Sequence, residues 1–287
     1  MYKRPISHVF ARGHQLTFGQ QTWLMGILNC SPDSFSGDSK SLTNTAALIK
    51  RGVLLFRQGA TIIDVGGEST RPGAKAVSVT LEIKRIIPVI KALTQHQGLL
   101  VSVDTYKHEV AKAALAAGAC MVNHVKGTQI TLPMIKTVKE YDAAIVLMHS
   151  RGNAMTMQSK THYKSLIDDV IVELKVAIKK CLDLKIKKDK IIIDPGIGFA
   201  KDINQNYLLL NQMQRFHALG FPVLIGPSEK SFIGHVLGKE PGERHFGTAA
   251  AVTAAVIQGA HLVRVHDVAK MRDVVSIADK IINPYGK

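Results

Sequence analysis

The 287-residue chain has little cysteine: Cys30, Cys120 and Cys181 lie far apart, with no CxxC and no histidines at metal-site spacing. Neither a disulfide framework nor a zinc site is expected, and the three read as reduced thiols of a cytoplasmic protein. No apolar stretch is long enough to cross a bilayer, and the opening segment MYKRPISHVFARGHQL has no continuous apolar core, so no signal peptide or membrane span is expected. Aromatic residues make up only 6% and no recognised nucleic-acid module is present. Both GxGxxG and GxxxxGK[ST] are missing, which argues against an open dinucleotide- or nucleotide-binding sheet. Acidic residues are scarce: 37 Lys and Arg against 22 Asp and Glu leave a net charge of +15. A chain so charged attracts anions, and nucleic acid is the first class to weigh.

What is present is a large apolar fraction, 46%, with 21% charged residues, enough for a sizeable core and unlike a disordered or collagen-like chain. Eight short runs rich in Val, Ile and Leu, at 23–28, 61–65, 99–103, 120–125, 144–148, 190–193, 222–225 and 262–265, alternate with stretches of helical periodicity. Eight such units in fewer than 290 residues predict an α/β chain folded as a (β/α)8 TIM barrel. No linker or shift of composition divides it, so residues 1–287 read as one domain, with 1–21 as an N-terminal extension. The stripe Leu166, Ile167, Val170, Ile171, Leu174, Ile178, Cys181 predicts an amphipathic helix facing the core. Seven lysines from Lys175 to Lys190, against Asp183 and Asp189, put five of the fifteen net charges there, and a solvated helix end explains them.

In such a barrel the chemistry sits where the strands end, and nearly every strand end here is polar. One aspartate after a strand is an ordinary helix cap, whereas eight polar ends converging on one rim are hard to explain as caps. Asp104, Asn123 and Asp194 suit a flat heterocycle with adjacent N–H groups and a carbonyl. Arg71, Lys230, Arg264 and His266, with Ser231, suit phosphate or carboxylate. Asn29 supplies a hard oxygen of the kind Mg²⁺ accepts when phosphate provides the remaining ligands. A heterocycle attached to a phosphate is the substrate class these residues imply. Segments 28–39 and 66–75, rich in Ser, Gly, Pro and Asp, read as loops that close over substrate or as exposed connections.

The motifs carry a specific resemblance. Met25-Gly26-Ile27-Leu28-Asn29, Pro32-Asp33-Ser34-Phe35-Ser36 and Asp64-Val65-Gly66-Gly67-Glu68-Ser69-Thr70-Arg71-Pro72-Gly73 are similar to the first two loops of dihydropteroate synthases. Ser102-Val103-Asp104-Thr105, Asp194-Pro195-Gly196-Ile197-Gly198-Phe199, Lys230-Ser231-Phe232-Ile233-Gly234 and Arg264-Val265-His266-Asp267 continue the likeness in order to the last helix. The resemblance implies a barrel that joins p-aminobenzoate to (7,8-dihydropterin-6-yl)methyl diphosphate with Mg²⁺, yielding 7,8-dihydropteroate and pyrophosphate for folate biosynthesis. Carried over by position, Asp104, Asn123, Asp194 and Lys230 would hold the pterin. Met148 would floor its pocket, and Phe199 and Gly226 would also touch substrate. Arg264, His266 and Asn29 with its metal would hold the diphosphate, and Thr70, Arg71 and Ser231 would form the p-aminobenzoate site. Asp104, Lys230, Arg264, His266, Asp33 and Arg71 are the expected catalytic set. The resemblance also implies sulfonamides as mimics of p-aminobenzoate, a cytoplasmic homodimer, and no nucleic-acid or membrane partner.

The chain departs from the family at three places, of which Cys30-Ser31 in place of the commoner Val-Thr is minor. His124 stands where an aspartate is usual, and strand alternation would turn it from the pocket. Glu229 stands where an arginine is usual, and would either pair with Lys230 or face solvent. Two other readings compete: a pterin-binding methyltransferase barrel, against which the basic rim argues, and a non-catalytic pterin- or nucleic-acid-binding protein. Glu68 reads as a loop anchor, and His149 and Arg151 as site residues or braces of the rim.

Overall fold

The computed structural model describes residues 4–31 and 45–285. Ten strands and nine helices are described there. A hairpin of β1 (Ser7–Ala11) and β2 (His14–Phe18) precedes the first barrel strand, β3 (Trp23–Asn29). The remaining strands are β4 (Ile62–Gly66), β5 (Leu100–Asp104), β6 (Met121–His124), β7 (Ala144–Met148), β8 (Ile191–Asp194), β9 (Leu224–Ile225) and β10 (Leu262–Val265). Between and after them run α1 (Thr45–Arg57), α2 (Val79–Leu93), α3 (His108–Ala116), α4 (Leu132–Glu140), α5 (Leu166–Asp183), α6 (Ile203–Asn211), α7 (Ser231–Leu237), α8 (His245–Ile257) and α9 (Val268–Ile282).

Strands β3 to β8 pair in chain order, β10 pairs with both β9 and β3, and every one of these ladders is parallel. A single parallel bridge, Ile193 with Val223, joins β8 to β9, where the Ile193 N–H donates to the Pro222 carbonyl at 3.0 Å. The result is the eight-stranded barrel expected from the repeated β/α pattern. None of the described helices is long and apolar enough to cross a membrane.

Local signals explain the helices. Ser78 caps α2 by accepting the Leu81 N–H, and Thr131 caps α4. Asp202 and Gln205 form a reciprocal capping box at α6. Asp267, at the rim in sequence, caps α9 by accepting the Lys270 N–H, so here the structural explanation holds. The α5 stripe is buried as its spacing predicts, with Ile171 half-buried. Six of the seven nearby lysines are exposed, and Lys190 instead runs inward to Asp142, at 2.7 Å.

Period-two alternation sorts the strands into two faces. The outward face packs Ile63, Val65, Val101, Val103, Ile145, Leu147 and Ile193 against the helices. The inward face changes character along the axis. Near the strand starts it is apolar, with Met25, Ile62, Met121, Ala144, Ile192, Leu224 and Leu262, and onto this floor the hairpin lays Val9, Ala11, Leu16 and Phe18. The 1–21 segment is therefore more than an appendage, because residues 7–18 plug the barrel floor. Arg12 and Gly13 both have positive φ, 50° and 84°, as a tight two-residue hairpin turn requires. Two residues further along β4, β6, β8 and β10 the inward positions become polar, as Asp64, Asn123, Asp194 and Arg264.

A cavity of carboxylates below and cations above

The register places Asn29, Gly66, Asp104 and Asn123 side by side near the strand ends. Gly66 and Gly226 leave this level open: a Cβ on Gly66 would lie 3.4 Å from the Asp104 Cβ, and one on Gly226 3.5 Å from the Arg264 Cβ. Below Asp104, Asp64 points inward from the middle of β4 and is fully buried. Arg264 joins the two carboxylates, donating through Nε to Asp64 Oδ2 at 2.6 Å and through Nη2 to Asp104 Oδ2 at 2.7 Å. Asn123 Nδ2 donates to the same Asp64 oxygen at 2.9 Å. The Oδ1 atoms of Asp104 and Asn123 have no hydrogen-bond partner among the described residues. Buried acceptors without a partner are costly, and here they line a cleft into which a ligand N–H can reach.

Asp194 ends β8, and its Oδ1 accepts the Gly196 N–H at 2.7 Å. Lys230, preceding α7, stands with Nζ 4.3 Å above the Phe199 ring. Met148, Asn123, Asp194 and Gly226 line the deep cleft with Asp104 and Arg264. Above it opens a cavity of about 380 Å³ reached by Asn29, Thr70, Arg71, Ser231 and His266, while Thr70, Phe199, Lys230 and Arg264 line both levels. The fold thus gathers every described residue expected at the site. Asp33, with residues 32–44, lies outside the described residues.

Burial and charge set the protonation states. Burial pushes the Asp104 carboxyl up to about 7, with Arg264 opposing and Asp64 adding to the rise. Burial likewise lifts Asp194 to about 6, opposed by the Gly196 N–H and by Lys230. Burial lowers Lys230 to about 8, assisted by Arg264 and resisted by Asp194. His266 is lowered to about 3 by burial and then by Arg264 and Lys230, so near neutrality it is an uncharged imidazole. Ser228 Oγ accepts the His266 backbone N–H at 3.3 Å and lies 3.0 Å from Nδ1. Its own hydrogen is then directed at Nδ1, an assignment from the bonding pattern that leaves the ring proton on Nε2.

The departures from the family pattern settle in detail. His124, on the outward face of β6, is buried and lowered to about 4 by that burial. Glu229 neither pairs with Lys230 nor lies free in solvent: its Oε2 accepts the Gly242 N–H at 2.7 Å, and Arg244 donates to its carbonyl at 2.9 Å. Arg151 binds Glu173 and the His162 carbonyl and covers the Tyr163 ring, while His149 Nε2 lies 3.1 Å from Glu173. Both brace the rim.

The family described as pterin binding enzyme matches residues 25–266. The chain belongs to the dihydropteroate synthase family of pterin-binding enzymes. A dihydropteroate synthase of Synechocystis sp. is 43% identical over 265 residues, 92% of this chain and 91% of that one. Among solved structures, the Clostridium difficile dihydropteroate synthase, determined in the presence of pteroic acid, is 40% identical with a TM-score of 0.87 and covers 94% of this chain and 99% of its own. The Xanthomonas albilineans enzyme with 4-aminobenzoic acid is 38% identical with a TM-score of 0.89, covering 97% and 99%. By that membership the chain is an enzyme, a transferase.

Three participants escaped sequence reasoning. Asp64 is a lone carboxylate inside the apolar run Ile62-Ile63-Asp64-Val65, a pattern that by itself signals a buried functional charge. Lys201, 2% exposed, donates to the Gly196 and Phe199 carbonyls at 3.0 Å and holds the loop between Asp194 and α6. Lys107 fastens the loop after β4. No local pattern distinguishes either lysine from the chain's many surface lysines.

Proposed function

We propose that the cavity joins p-aminobenzoate to (7,8-dihydropterin-6-yl)methyl diphosphate, releasing pyrophosphate and forming 7,8-dihydropteroate. The observation that carries this is a narrow cleft with unpartnered carboxylate and amide acceptors that meets a wider cavity at Lys230 and Arg264, where Arg71 adds a third cation. The relative determined in the presence of pteroic acid, which carries both a pterin and a p-aminobenzoate moiety, and the one determined with 4-aminobenzoic acid support this reading.

In this reading Asp194, Asp104 and Asn123 accept the pterin N–H groups, and Met148 floors the ring. Lys230 lies over Phe199 at the junction of the two levels. Arg264, oriented by Asp64 and Asp104, and His266 through Nε2–H, orient the diphosphate and oppose charge gathering on the departing pyrophosphate. The C–O bond at the pterin methylene breaks largely before the new bond forms, because nearby carboxylates favour positive charge on the pterin. The amine of p-aminobenzoate, held at Thr70, Arg71 and Ser231, then supplies the electron pair for the C–N bond and loses one proton to the released pyrophosphate. Exclusion of water protects the methylene cation meanwhile, and Asp33 belongs to this catalytic set by resemblance alone.

Asn29 brings one amide oxygen to the mouth, and no group of three or more metal-ligating side chains is found among the described residues. That donor set fits Mg²⁺ only where phosphate oxygens and water complete the shell. When bound, the ion would neutralise part of the diphosphate charge. The reading extends to one domain over residues 1–287, a cytoplasmic location, and a homodimer formed through the apolar groove of α6, α7 and α8, where Val236 and Leu237 are 64% and 44% exposed. The test is pyrophosphate release from the pterin diphosphate with and without p-aminobenzoate. Coupled release that Asp194→Ala lowers by about 10²- to 10³-fold supports the assignment, and release indifferent to p-aminobenzoate refutes it.

A further inference from the structure

The loop from Gly67 to Val77 presents Thr70 and Arg71 to the cavity, and it is fastened by Lys107, a side chain that does not line that cavity. Lys107 follows the end of β5 by three residues, and its side chain is 12% exposed. Its Nζ donates to Glu68 Oε2 at 2.6 Å, to Glu82 Oε2 at 2.7 Å and to the Val77 carbonyl at 2.7 Å. An ammonium has three hydrogens, and three acceptors use them all. Glu68 Oε2 also accepts the Val77 N–H at 2.8 Å. One cation therefore gathers the start of the loop, its end nine residues later, and the buried Glu82 of α2, whose side chain is 1% exposed. Arg85, one turn along α2, adds a bond from Nη1 to the Gly67 carbonyl at 2.8 Å. Gly67 lies so close to α2 that a Cβ would stand 2.8 Å from the Glu82 Cγ. Further out, the Gly73 N–H donates to the Ala154 carbonyl at 3.0 Å. Glu68 and Thr70 line both the main cavity and a smaller one beside it, so this stretch of loop is the wall between them.

We propose that Lys107 is a positioning residue for the second substrate: by tying Glu68 and Val77 to Glu82, it sets the stance of the loop that presents Thr70 and Arg71, and so governs capture of p-aminobenzoate far more than that of the pterin diphosphate, whose deep cleft this loop reaches only through Thr70. The inference rests on the reading of Thr70 and Arg71 given above. Its physical basis is positional. The pterin acceptors Asp194 and Asn123 sit on β8 and β6, whose places are set by strand pairing, whereas Thr70 and Arg71 sit on a loop whose two ends converge on one side chain.

The experiment compares the KM for each substrate in variants whose folding is followed by thermal melting. Lys107→Met is combined with Glu82→Gln, so that the fully buried Glu82 carboxylate does not lose its counter-ion. The KM for p-aminobenzoate is expected to rise about 10-fold or more, while the KM for the pterin diphosphate stays within about 2-fold. Lys107→Arg, able to reach both carboxylates, is expected to recover most of the loss. Glu68→Gln alone should shift the same KM by about 3-fold, and it decides the matter if the double variant does not fold. Both KM values rising together, or neither changing in a cooperatively melting protein, overturns the inference. Arg71→Met separates the two levels of argument: if it leaves the p-aminobenzoate KM unchanged, the reading of the loop fails. If it raises that KM and the Lys107 variants do not, only the positioning role fails.

Discussion

The lower and upper halves of the barrel are built from the same strands, two residues apart, and do opposite things. In the lower half Ile62, Met121 and Ile192 point inward and meet the hairpin's Val9, Leu16 and Phe18. In the upper half Asp64, Asn123 and Asp194 occupy the next inward positions of those three strands. Apolar contact stabilises the first half, whereas the second concentrates carboxylates that burial disfavours. Gly66 and Gly226 stand at the same level and leave space for a ligand beside Asp104 and Arg264. The contrast separates stability from function along the barrel axis, and variants at each level should respond differently.

The largest expected effect is on the floor. Phe18, fully buried and edge-on to Trp23 at 5.0 Å between ring centroids, should cost about 3–5 kcal/mol on truncation to alanine, read by denaturant unfolding. Folded Phe18→Ala should keep KM values near the parental ones. Asp194→Ala should do the reverse, lowering kcat/KM by about 10²- to 10³-fold without loss of melting temperature. If instead the floor variant lost catalysis and the cleft variant lost stability, the division would collapse.

A subtler sharpening uses pH. The Asp104 carboxyl is raised in the fold to about 7, from roughly 4 in an unfolded chain. Between those values the native state holds more protons than the unfolded one, so this group's contribution is favourable at low pH and is lost as pH rises through 7. Asp104→Asn removes that loss. Its melting temperature relative to the parent should therefore climb from pH 5 to pH 8, while its rate of diphosphate release falls. A difference in melting temperature that stays flat with pH would show that Arg264 compensates the buried charge fully. The smallest effect belongs to Glu229→Gln: with its side chain bonded to Gly242 and turned from Lys230, it should change both KM values by less than about 2-fold and stability by within about 0.5 kcal/mol.

Much of this was legible beforehand, for identifiable reasons. The Val- and Ile-rich runs marked all eight barrel strands because parallel strands buried on both faces carry almost continuous apolar sequence. The strand at 222–225 shortened to Leu224–Ile225, since its start joins β8 only through the Ile193–Val223 bridge. The hairpin went unread although Val9, Ala11, Leu16 and Phe18 alternate about Arg12-Gly13, because mixed basic and polar neighbours hide a two-stranded signal. Among site residues, those ending strands were found. Arg264 was identified as a cation for phosphate, but its grip on Asp64 and Asp104, from residues 200 and 160 positions away, was invisible. The neutral state of His266 depends on that same gathering of cations, which no linear spacing expresses.

Sequence alone determined the number and order of β/α units, the polar character of the rim and the family, because hydrophobic periodicity and short motifs are local properties of the chain. Tertiary structure alone decided which carboxylates face one another, which lysines serve as internal ties and which of the fifteen net positive charges face a ligand. Those outcomes depend on distance and burial. Closing the barrel brings Asp64, Asp104 and Arg264 within hydrogen-bonding reach and strips water from them, so their protonation and bonding exist only once the last strand has paired with the first.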